Sequence, residues 1–312
     1  MSKTRRNFIK SAGAVGAVAA LGGLDVARAS AKKRSSEAPS AVAQVPAAIT
    51  SDPPLNKTSP AWMDQLAVPS HGATMNGVIY VAEGAEAHPT VILLHGYPGI
   101  EENLDLAQSI RRAGWNVIFF HYRGSWGSQG AFSFANCIED TQATIDWARD
   151  PQNAKKFSVD PGKIVLIGHS MGGFMASVAG RDPKVMGVGM LAAWNPAAHV
   201  RNVNDPAKLK NFVQAGIRPL SGCTADSLSA EIIAHKDEWD YNSFVPQLKN
   251  QAVLVVSADD QTRPANDAFV TAMKSAGATR MTTVHLPTDH TFNDHRIALQ
   301  VAVLEWLNTL NP

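Results

Sequence analysis

The sequence contains few cysteines and lacks the spacing of a metal site. Its 312 residues include two cysteines, Cys137 and Cys223, which form no Cys-x-x-Cys pair. This excludes a disulfide-rich scaffold and a cysteine zinc site. The two cysteines fit either one disulfide or two unpaired core residues. Three histidines at predicted strand ends, His95, His121 and His169, have no acidic residues at matching spacing, so we expect no bound metal.

An excess of charge of one sign is also lacking. The formal net charge is +1, so no basic surface predicts a nucleic-acid partner. The sequence has no repeat of solenoid or propeller period, no dinucleotide-binding glycine fingerprint and no phosphate loop, and we expect no cofactor. What is present, 45% hydrophobic residues in a chain of this length, is typical of a globular protein with a large core.

The N-terminus contains an apolar run, Ser11–Leu24, that is too short and too rich in glycine to span a membrane. It follows Thr4–Lys10, which has two adjacent arginines, and it precedes a small-residue cleavage site at Ala27–Ala29. Residues 1–29 therefore resemble a bacterial twin-arginine signal peptide. The resemblance implies recognition by the twin-arginine export machinery, a periplasmic or secreted location, and no stable membrane span in the mature chain.

The remaining sequence divides into an arm and one domain. Residues 30–60 are rich in Ala, Ser and Pro without apolar periodicity, and we interpret them as a flexible linker or loosely docked arm. Residues 61–312 alternate strand and helix patterns, which predicts an α/β fold with a mostly parallel central sheet and helices on both faces. The predicted strands are Gly77–Glu83, Thr90–Leu94, Trp115–His121, Ile164–Ile167, Val188–Ala193, Ala252–Ala258 and Met281–Leu286, and the predicted helices include Asn103–Ala113, Cys137–Arg149, Ala265–Ser275 and about Asp294–Leu310.

One interval breaks this alternation. Between Trp194 and Leu248 the sequence has helical patterns at Asp205–Ala215 and Ala225–His235 but no strand pattern. A structureless loop of this length is uncommon inside a compact domain, so we predict a helical cap insertion at about residues 195–248. Four aromatic residues are candidates for the walls of an apolar substrate pocket, although each also fits simple packing of the cap onto the sheet. They are Trp194, Trp239, Tyr241 and Phe244.

The motif Gly168-His169-Ser170-Met171-Gly172 follows the predicted strand Ile164–Ile167 and opens a helical pattern. A serine at the apex of such a strand-to-helix turn holds its hydroxyl exposed above the sheet, and the flanking glycines avoid collisions where the backbone turns back. Ser170 is therefore a candidate nucleophile. The N–H group of Met171 begins the helix without an intrahelical acceptor, so it is a candidate oxyanion donor.

A second turn, His95–Gly99, follows the buried strand that ends at Leu94. Ligands of open α/β sheets bind at this edge. We predict the N–H group of Tyr97 as the second oxyanion donor, because Pro98 has no N–H group. His95 is interpreted as a histidine that braces the turn rather than as a general base.

The acid and the base are expected in later loops. Asp259 and Asp260 follow the strand that ends near Ser257, and either can orient an imidazole; we favour Asp260 from its distance to the strand end. His290 lies in the loop after the last strand and is the predicted general base, with His295 as its rival. The order Ser170, Asp260, His290 completes a candidate triad.

These motifs, HGYPG, GHSMGG, SADDQTRP and PTDHTF, occur in the order found in the α/β-hydrolase superfamily, which the chain resembles from about Gly77 onward. The segment Tyr122–Ser128 also resembles the dienelactone-hydrolase-like and prolyl-oligopeptidase-like branch. The chain departs from that branch in lacking a propeller and in having serine at the turn where dienelactone hydrolases have cysteine. The resemblance implies a serine hydrolase that acts on a small-molecule ester or amide. Carboxylic esters are the first expectation, and a peptidase or amidase, or a non-hydrolytic ligand-binding protein, is the alternative.

Overall fold

The computed structural model describes residues 45–310. The predicted signal peptide at residues 1–29, its cleavage site and the predicted linker up to residue 44 lie outside the described residues. The described part of the predicted linker includes a short helix, α1 (Ala47–Thr50). It lies on the domain, because Arg112 donates a hydrogen bond from Nε to the carbonyl oxygen of Ala48 at 2.6 Å.

An eight-stranded sheet organises the described residues, in the order β1-β2-β4-β3-β5-β6-β7-β8. The strands from β3 to β8 pair in parallel, whereas β1 and β2 form an antiparallel hairpin that adds to β4. This confirms the predicted α/β fold with a mostly parallel sheet. The strands are β1 (Trp62–Ser70), β2 (Ala73–Val81), β3 (His88–Leu94), β4 (Asn116–Phe120), β5 (Val159–His169), β6 (Gly187–Leu191), β7 (Ala252–Ser257) and β8 (Met281–His285).

Helices cover both faces of the sheet. Alternate strand residues point to opposite faces, and the buried side chains accordingly form two separate clusters. Helices α2 and α11 cover one face, and α3, α5, α10 and the interval after β6 cover the other. The helices of the sheet layer are α2 (Leu104–Arg112), α3 (Phe134–Arg149), α4 (Pro151–Lys156), α5 (Met171–Ala179), α10 (Arg263–Ser275) and α11 (Arg296–Leu310).

The interval between β6 and β7 is helical, and the described residues there contain no strand. We call this interval the cap. It consists of α6 (Pro196–Val203), α7 (Pro206–Gly216), α8 (Ala225–Ala234), a 3-10 turn (Tyr241–Phe244) and α9 (Val245–Leu248). The two helices expected from periodicity correspond to α7 and α8.

Glu231 on α8 fixes the cap to the sheet layer. Its carboxylate accepts hydrogen bonds from the N–H groups of Phe134 and Ala135, at 2.9 and 3.0 Å. These two N–H groups belong to the first turn of α3, where no intrahelical acceptor is available and where the helix dipole favours a negative charge. The cap is therefore held in place by a charged contact as well as by its apolar residues.

Candidate active site

Ser170 lies at a sharp turn between β5 and α5. Its backbone has φ 55° and ψ −117°, a conformation that non-glycine residues rarely adopt and that is concentrated at functional sites. Its N–H group donates to the carbonyl oxygen of Leu191 at 2.9 Å, and its carbonyl oxygen accepts from the N–H group of Trp194 at 2.9 Å. The segment that leaves β6 thus holds the serine backbone from both sides.

Glycines make this turn possible because the backbones approach very closely. A β-carbon on Gly172 would lie 1.9 Å from the carbonyl oxygen of Leu94, and one on Gly168 would lie 1.9 Å from the carbonyl oxygen of Gly172. A β-carbon on Gly96 would lie 3.0 Å from the β-carbon of Ser170. The His95–Gly99 turn therefore packs directly against the serine turn.

His290 and Asp260 form a hydrogen-bonded pair. His290 Nδ1 donates to Asp260 Oδ2, while Asp260 Oδ1 accepts from the N–H and hydroxyl groups of Thr262 at 2.9 and 2.8 Å. The Asp260 side chain is 4% exposed. Burial opposes its ionisation, but the hydrogen bonds from His290 and Thr262 outweigh burial and hold the pKa of the carboxyl group below its usual value. This arrangement leaves Nε2 of His290 as the ring nitrogen available for proton transfer.

Asp259 has a different set of contacts. Its carboxylate pairs with Arg263 and, at 3.2 Å, with His285 Nε2, and its side chain is 49% exposed. The geometry therefore favours Asp260, the predicted acid, over its neighbour. His295, the rival base, lies just before α11 and pairs with the exposed Asp294 at 2.9 Å.

Two buried histidines support the turns of the site. His95 Nδ1 donates to the carbonyl oxygen of Gly96 at 2.7 Å, as expected of a bracing residue. His169 Nε2 lies 2.8 Å from the carbonyl oxygen of His290 and so connects the serine turn to the loop of the predicted base. Burial lowers the pKa of each imidazole to about 3, so both are neutral at physiological pH. No supporting role of His169 was predicted, because it occupies the freely variable second position of the serine motif.

Arg296 is a second residue that the sequence analysis missed. It donates to the carbonyl oxygen of Thr291, next to His290, and to Asn103 Oδ1, both at 3.0 Å. It also binds Asp105 on α2, with Nε 3.0 Å from Oδ2. Arg296 therefore joins the His290 loop to the segment that follows the His95–Gly99 turn. No local sequence pattern predicts such a contact, because Asn103 and Asp105 are far from Arg296 in the sequence.

A cleft of about 340 Å³ opens beside Ser170. It brings together three of the predicted site residues, Tyr97, Ser170 and His290, while Met171 follows as the first residue of α5. Its other walls belong to the His95–Gly99 turn and the loop after His290. The full lining is Gly96, Tyr97, Pro98, Gly99, Ile100, Glu101, His169, Ser170, His290, Thr291 and Asn293.

The four cap aromatics that were predicted to wall a substrate pocket lie away from this cleft. Trp194, Trp239, Tyr241 and Phe244 are all buried, with at most 7% of each exposed, and none lines the cleft. Trp239 stacks on His235 with ring centroids 4.3 Å apart, and Tyr241 packs edge-on against Phe269. They pack the cap against the sheet layer, while the cleft opens between loops of the sheet layer itself.

The two cysteines form no disulfide with each other. Cys137 and Cys223 are both free, and burial raises the pKa of each thiol. Within residues 45–310, no group of three or more His, Cys, Asp or Glu side chains is placed to hold a metal ion. None of the helices in that range is long and apolar enough to cross a membrane.

Comparison with known sequences gives two family matches. Residues 77–214 match the BD-FAE family, and residues 4–22 match the TAT (twin-arginine translocation) pathway signal sequence. An uncharacterized 31.7 kDa protein of the traX-finO intergenic region of Escherichia coli is 37% identical over 111 residues, which are 34% of this chain and 37% of that protein. Uncharacterized protein YfhR of Escherichia coli strain K12 is 34% identical over 85 residues, 27% of this chain and 28% of that protein. The chain thus spans about a third of the length of these relatives.

Solved structures extend the similarity to most of the domain. Est1E from Butyrivibrio proteoclasticus, with bound ferulic acid, is 17% identical with a TM-score of 0.60, over 78% of this chain and 98% of that one. A hyperthermophilic esterase from Pyrobaculum calidifontis is 18% identical with a TM-score of 0.58, over 81% and 85%. The carboxylesterase EstE1, from a metagenomic library, is 18% identical with a TM-score of 0.57, over 81% and 91%. These likenesses confirm the predicted fold, and the match at residues 4–22 confirms the predicted signal sequence.

The contacts of the two neighbouring aspartates predict that only one of them is important for catalysis. Asp260→Asn removes the charge that orients His290, and we expect a loss of turnover on the order of 10³- to 10⁴-fold. Asp259→Asn is the matched control and should change turnover little, because its exposed ion pairs stabilise weakly. Initial rates on a chromogenic ester measure both. Equal losses, or a larger loss from Asp259→Asn, would contradict the assignment of the acid.

The buried histidines predict that acid destabilises the fold. In the unfolded chain each imidazole binds a proton below about pH 6.5. In the folded state His95 and His169 bind a proton only below about pH 3. The unfolded state therefore binds more protons, and the free energy of unfolding should fall with decreasing pH, by about 1.4 kcal/mol per pH unit for each histidine.

Urea denaturation between about pH 7 and about pH 5, above the range where carboxylates titrate, measures this slope. A free energy of unfolding that stays constant over this range would show that these imidazoles are not held neutral.

Proposed function

We propose that this α/β-hydrolase with a twin-arginine signal sequence is an exported serine hydrolase that cleaves carboxylic esters. Ser170 is the nucleophile, His290 the general base, and Asp260 the residue that orients His290. The N–H groups of Tyr97 and Met171 are the oxyanion donors. The observation that carries the proposal is the meeting of Ser170, Tyr97 and His290 at one cleft, with His290 hydrogen-bonded to a buried carboxylate.

The reaction proceeds through an acyl-enzyme. Ser170 Oγ attacks the ester carbonyl carbon while its proton passes to His290 Nε2, and the two N–H groups stabilise the oxyanion. The tetrahedral intermediate then expels the alcohol, which leaves with the proton held by His290. Water attacks the acyl-enzyme by the same route, with His290 again as base, and releases the carboxylic acid. Asp260 stays ionised throughout and stabilises the imidazolium form.

The walls of the cleft favour small, uncharged ester groups. Pro98 and Ile100 supply apolar surface on one side, and Ile100 is 79% exposed at the rim. The only charged carboxylate in the lining is that of Glu101, which disfavours anionic substrates. The names of the structural neighbours, which are esterases, agree with this class.

Export places the proposed activity in the periplasm or outside the cell. The support is the signal-sequence match at residues 4–22. Substrates would then be esters that the cell meets outside its inner membrane. The small-molecule class follows from the size of the cleft, about 340 Å³.

A fluorophosphonate probe combined with a substrate panel tests this proposal. The wild type should be labelled on Ser170 and should hydrolyse p-nitrophenyl esters of short to medium chain length with a higher kcat/KM than aminoacyl or prolyl p-nitroanilides. Ser170→Ala should abolish labelling and hydrolysis, because the attacking hydroxyl is gone. Ser243→Ala, an exposed serine in the cap, is the control and should retain both.

Each alternative gives a distinct result. Faster hydrolysis of any anilide would replace the esterase proposal by a peptidase or amidase. A folded wild type that is neither labelled nor active would indicate a non-hydrolytic ligand-binding protein. Near wild-type turnover by Ser170→Ala would show that another residue is the nucleophile.

A further inference from the structure

We infer that the cap controls the oxyanion site through the side chain of Tyr97, and that Gly216 on α7 is a positioning residue for the reaction. This inference rests on the function proposed above, in which the backbone N–H group of Tyr97 is an oxyanion donor. The cap does not line the cleft, so any effect of the cap on catalysis must be indirect. The contacts of Tyr97 provide the connection.

The phenol group of Tyr97 is bonded to the end of α7. Its hydroxyl donates to the carbonyl oxygen of Val213 at 2.5 Å. In a continuing α-helix that carbonyl would accept from the N–H group of Ile217, but Ile217 donates to Gln214 instead. Carbonyl groups in a last helical turn lack intrahelical donors, so Tyr97 supplies the missing partner. The bond thus attaches the His95–Gly99 turn to the cap.

The tyrosine ring also fits closely against Gly216. A β-carbon at this glycine would lie 2.3 Å from Cε1 of Tyr97, far inside van der Waals contact. The other side of the ring is occupied, with Phe132 and Phe134 at centroid distances of 5.8 and 5.6 Å. The ring is therefore confined by the cap helix and by these two rings, so a methyl group added at Gly216 must displace it.

The backbone of the His95–Gly99 turn on either side of Tyr97 is held by contacts that do not involve the cap. Trp126 Nε1 donates to the carbonyl oxygen of Pro98 at 2.7 Å, and His95 is anchored by the carbonyl of Gly96. A displacement of the ring must therefore shift the backbone at Tyr97 itself, whose N–H group is the proposed oxyanion donor. Catalytic groups act within tight geometric tolerances, and a shift of about 1 Å can cost roughly 100-fold in rate.

A role in packing alone makes a different prediction. If Tyr97 only fills space under the cap, then changes at Gly216 should alter stability and leave the chemical step intact. If the cap sets the oxyanion donor, they should lower kcat and leave KM nearly unchanged, because the donor binds the transition state more strongly than the substrate. The kcat and KM values separate the two cases.

The test is Gly216→Ala, a single methyl group on the cap that touches no substrate. We expect kcat on a p-nitrophenyl ester and the rate of fluorophosphonate labelling of Ser170 to fall together, by about 10- to 100-fold, with KM within about threefold of wild type. Leu209→Ala is the matched control. It empties a buried position of the same helix, beside Val203 and Ile233, so it should lower the melting temperature without lowering kcat.

A double-mutant cycle identifies Tyr97 as the connection. Tyr97→Ala keeps the backbone N–H group but removes the ring, so adding Gly216→Ala to it should have almost no further effect on kcat. Equal kcat for Gly216→Ala and the wild type, or an undiminished effect of Gly216→Ala in the Tyr97→Ala background, would overturn the inference. Neither result would affect the proposed function, which is contradicted by other outcomes: a wild type that is neither labelled nor active, faster hydrolysis of an anilide, or near wild-type turnover by Ser170→Ala.

Discussion

The backbone of Gly172 lies against the carbonyl group of Leu94, with no room for a side chain between them. This contact brings the first turn of α5 to the end of β3, so the serine turn and the His95–Gly99 turn lie side by side. The strained backbone of Ser170 follows from it, because the chain must reverse within one residue between β5 and α5. The remaining parts of the site are arranged around this fixed turn.

Three contacts between separate segments complete the arrangement. His169 holds the carbonyl of His290, Arg296 joins the His290 loop to the segment after the His95–Gly99 turn, and Tyr97 ties that turn to the cap. Each of them connects segments that are far apart in the sequence. Together they fix the relative positions of the proposed nucleophile, base and oxyanion donors, which is the condition under which preorganised groups catalyse.

The sequence was most informative where the chemistry depends on local structure. The serine turn is a strand, a turn and a helix within a dozen residues, and the candidate acid and base each follow a strand directly, so Ser170, Asp260 and His290 could be named from pattern and order. The α/β class could likewise be predicted from the alternation of strand and helix patterns along the chain. The hairpin strand β1 was not predicted, because only one of its faces is buried and its apolar residues form no continuous run.

Contacts between distant segments could not be predicted in the same way. The aromatic residues of the cap gave no indication of which side they face, and they pack toward the sheet layer instead of the cleft. Neither the role of His169 nor that of Arg296 follows from spacing, since their partners lie more than a hundred residues away. The cleft is formed by loops whose relative position only the fold determines.

The most direct test of this account is the structure of the protein after reaction with a fluorophosphonate, whose phosphonyl group mimics the tetrahedral intermediate of the proposed reaction. The account predicts phosphorus bonded to Ser170 Oγ and the phosphonyl oxygen within about 3 Å of both the Tyr97 and the Met171 N–H groups. His290 Nε2 should face the bridging oxygen while Nδ1 stays bonded to Asp260. A phosphonyl oxygen directed away from these N–H groups, or phosphorus on any other residue, would contradict it.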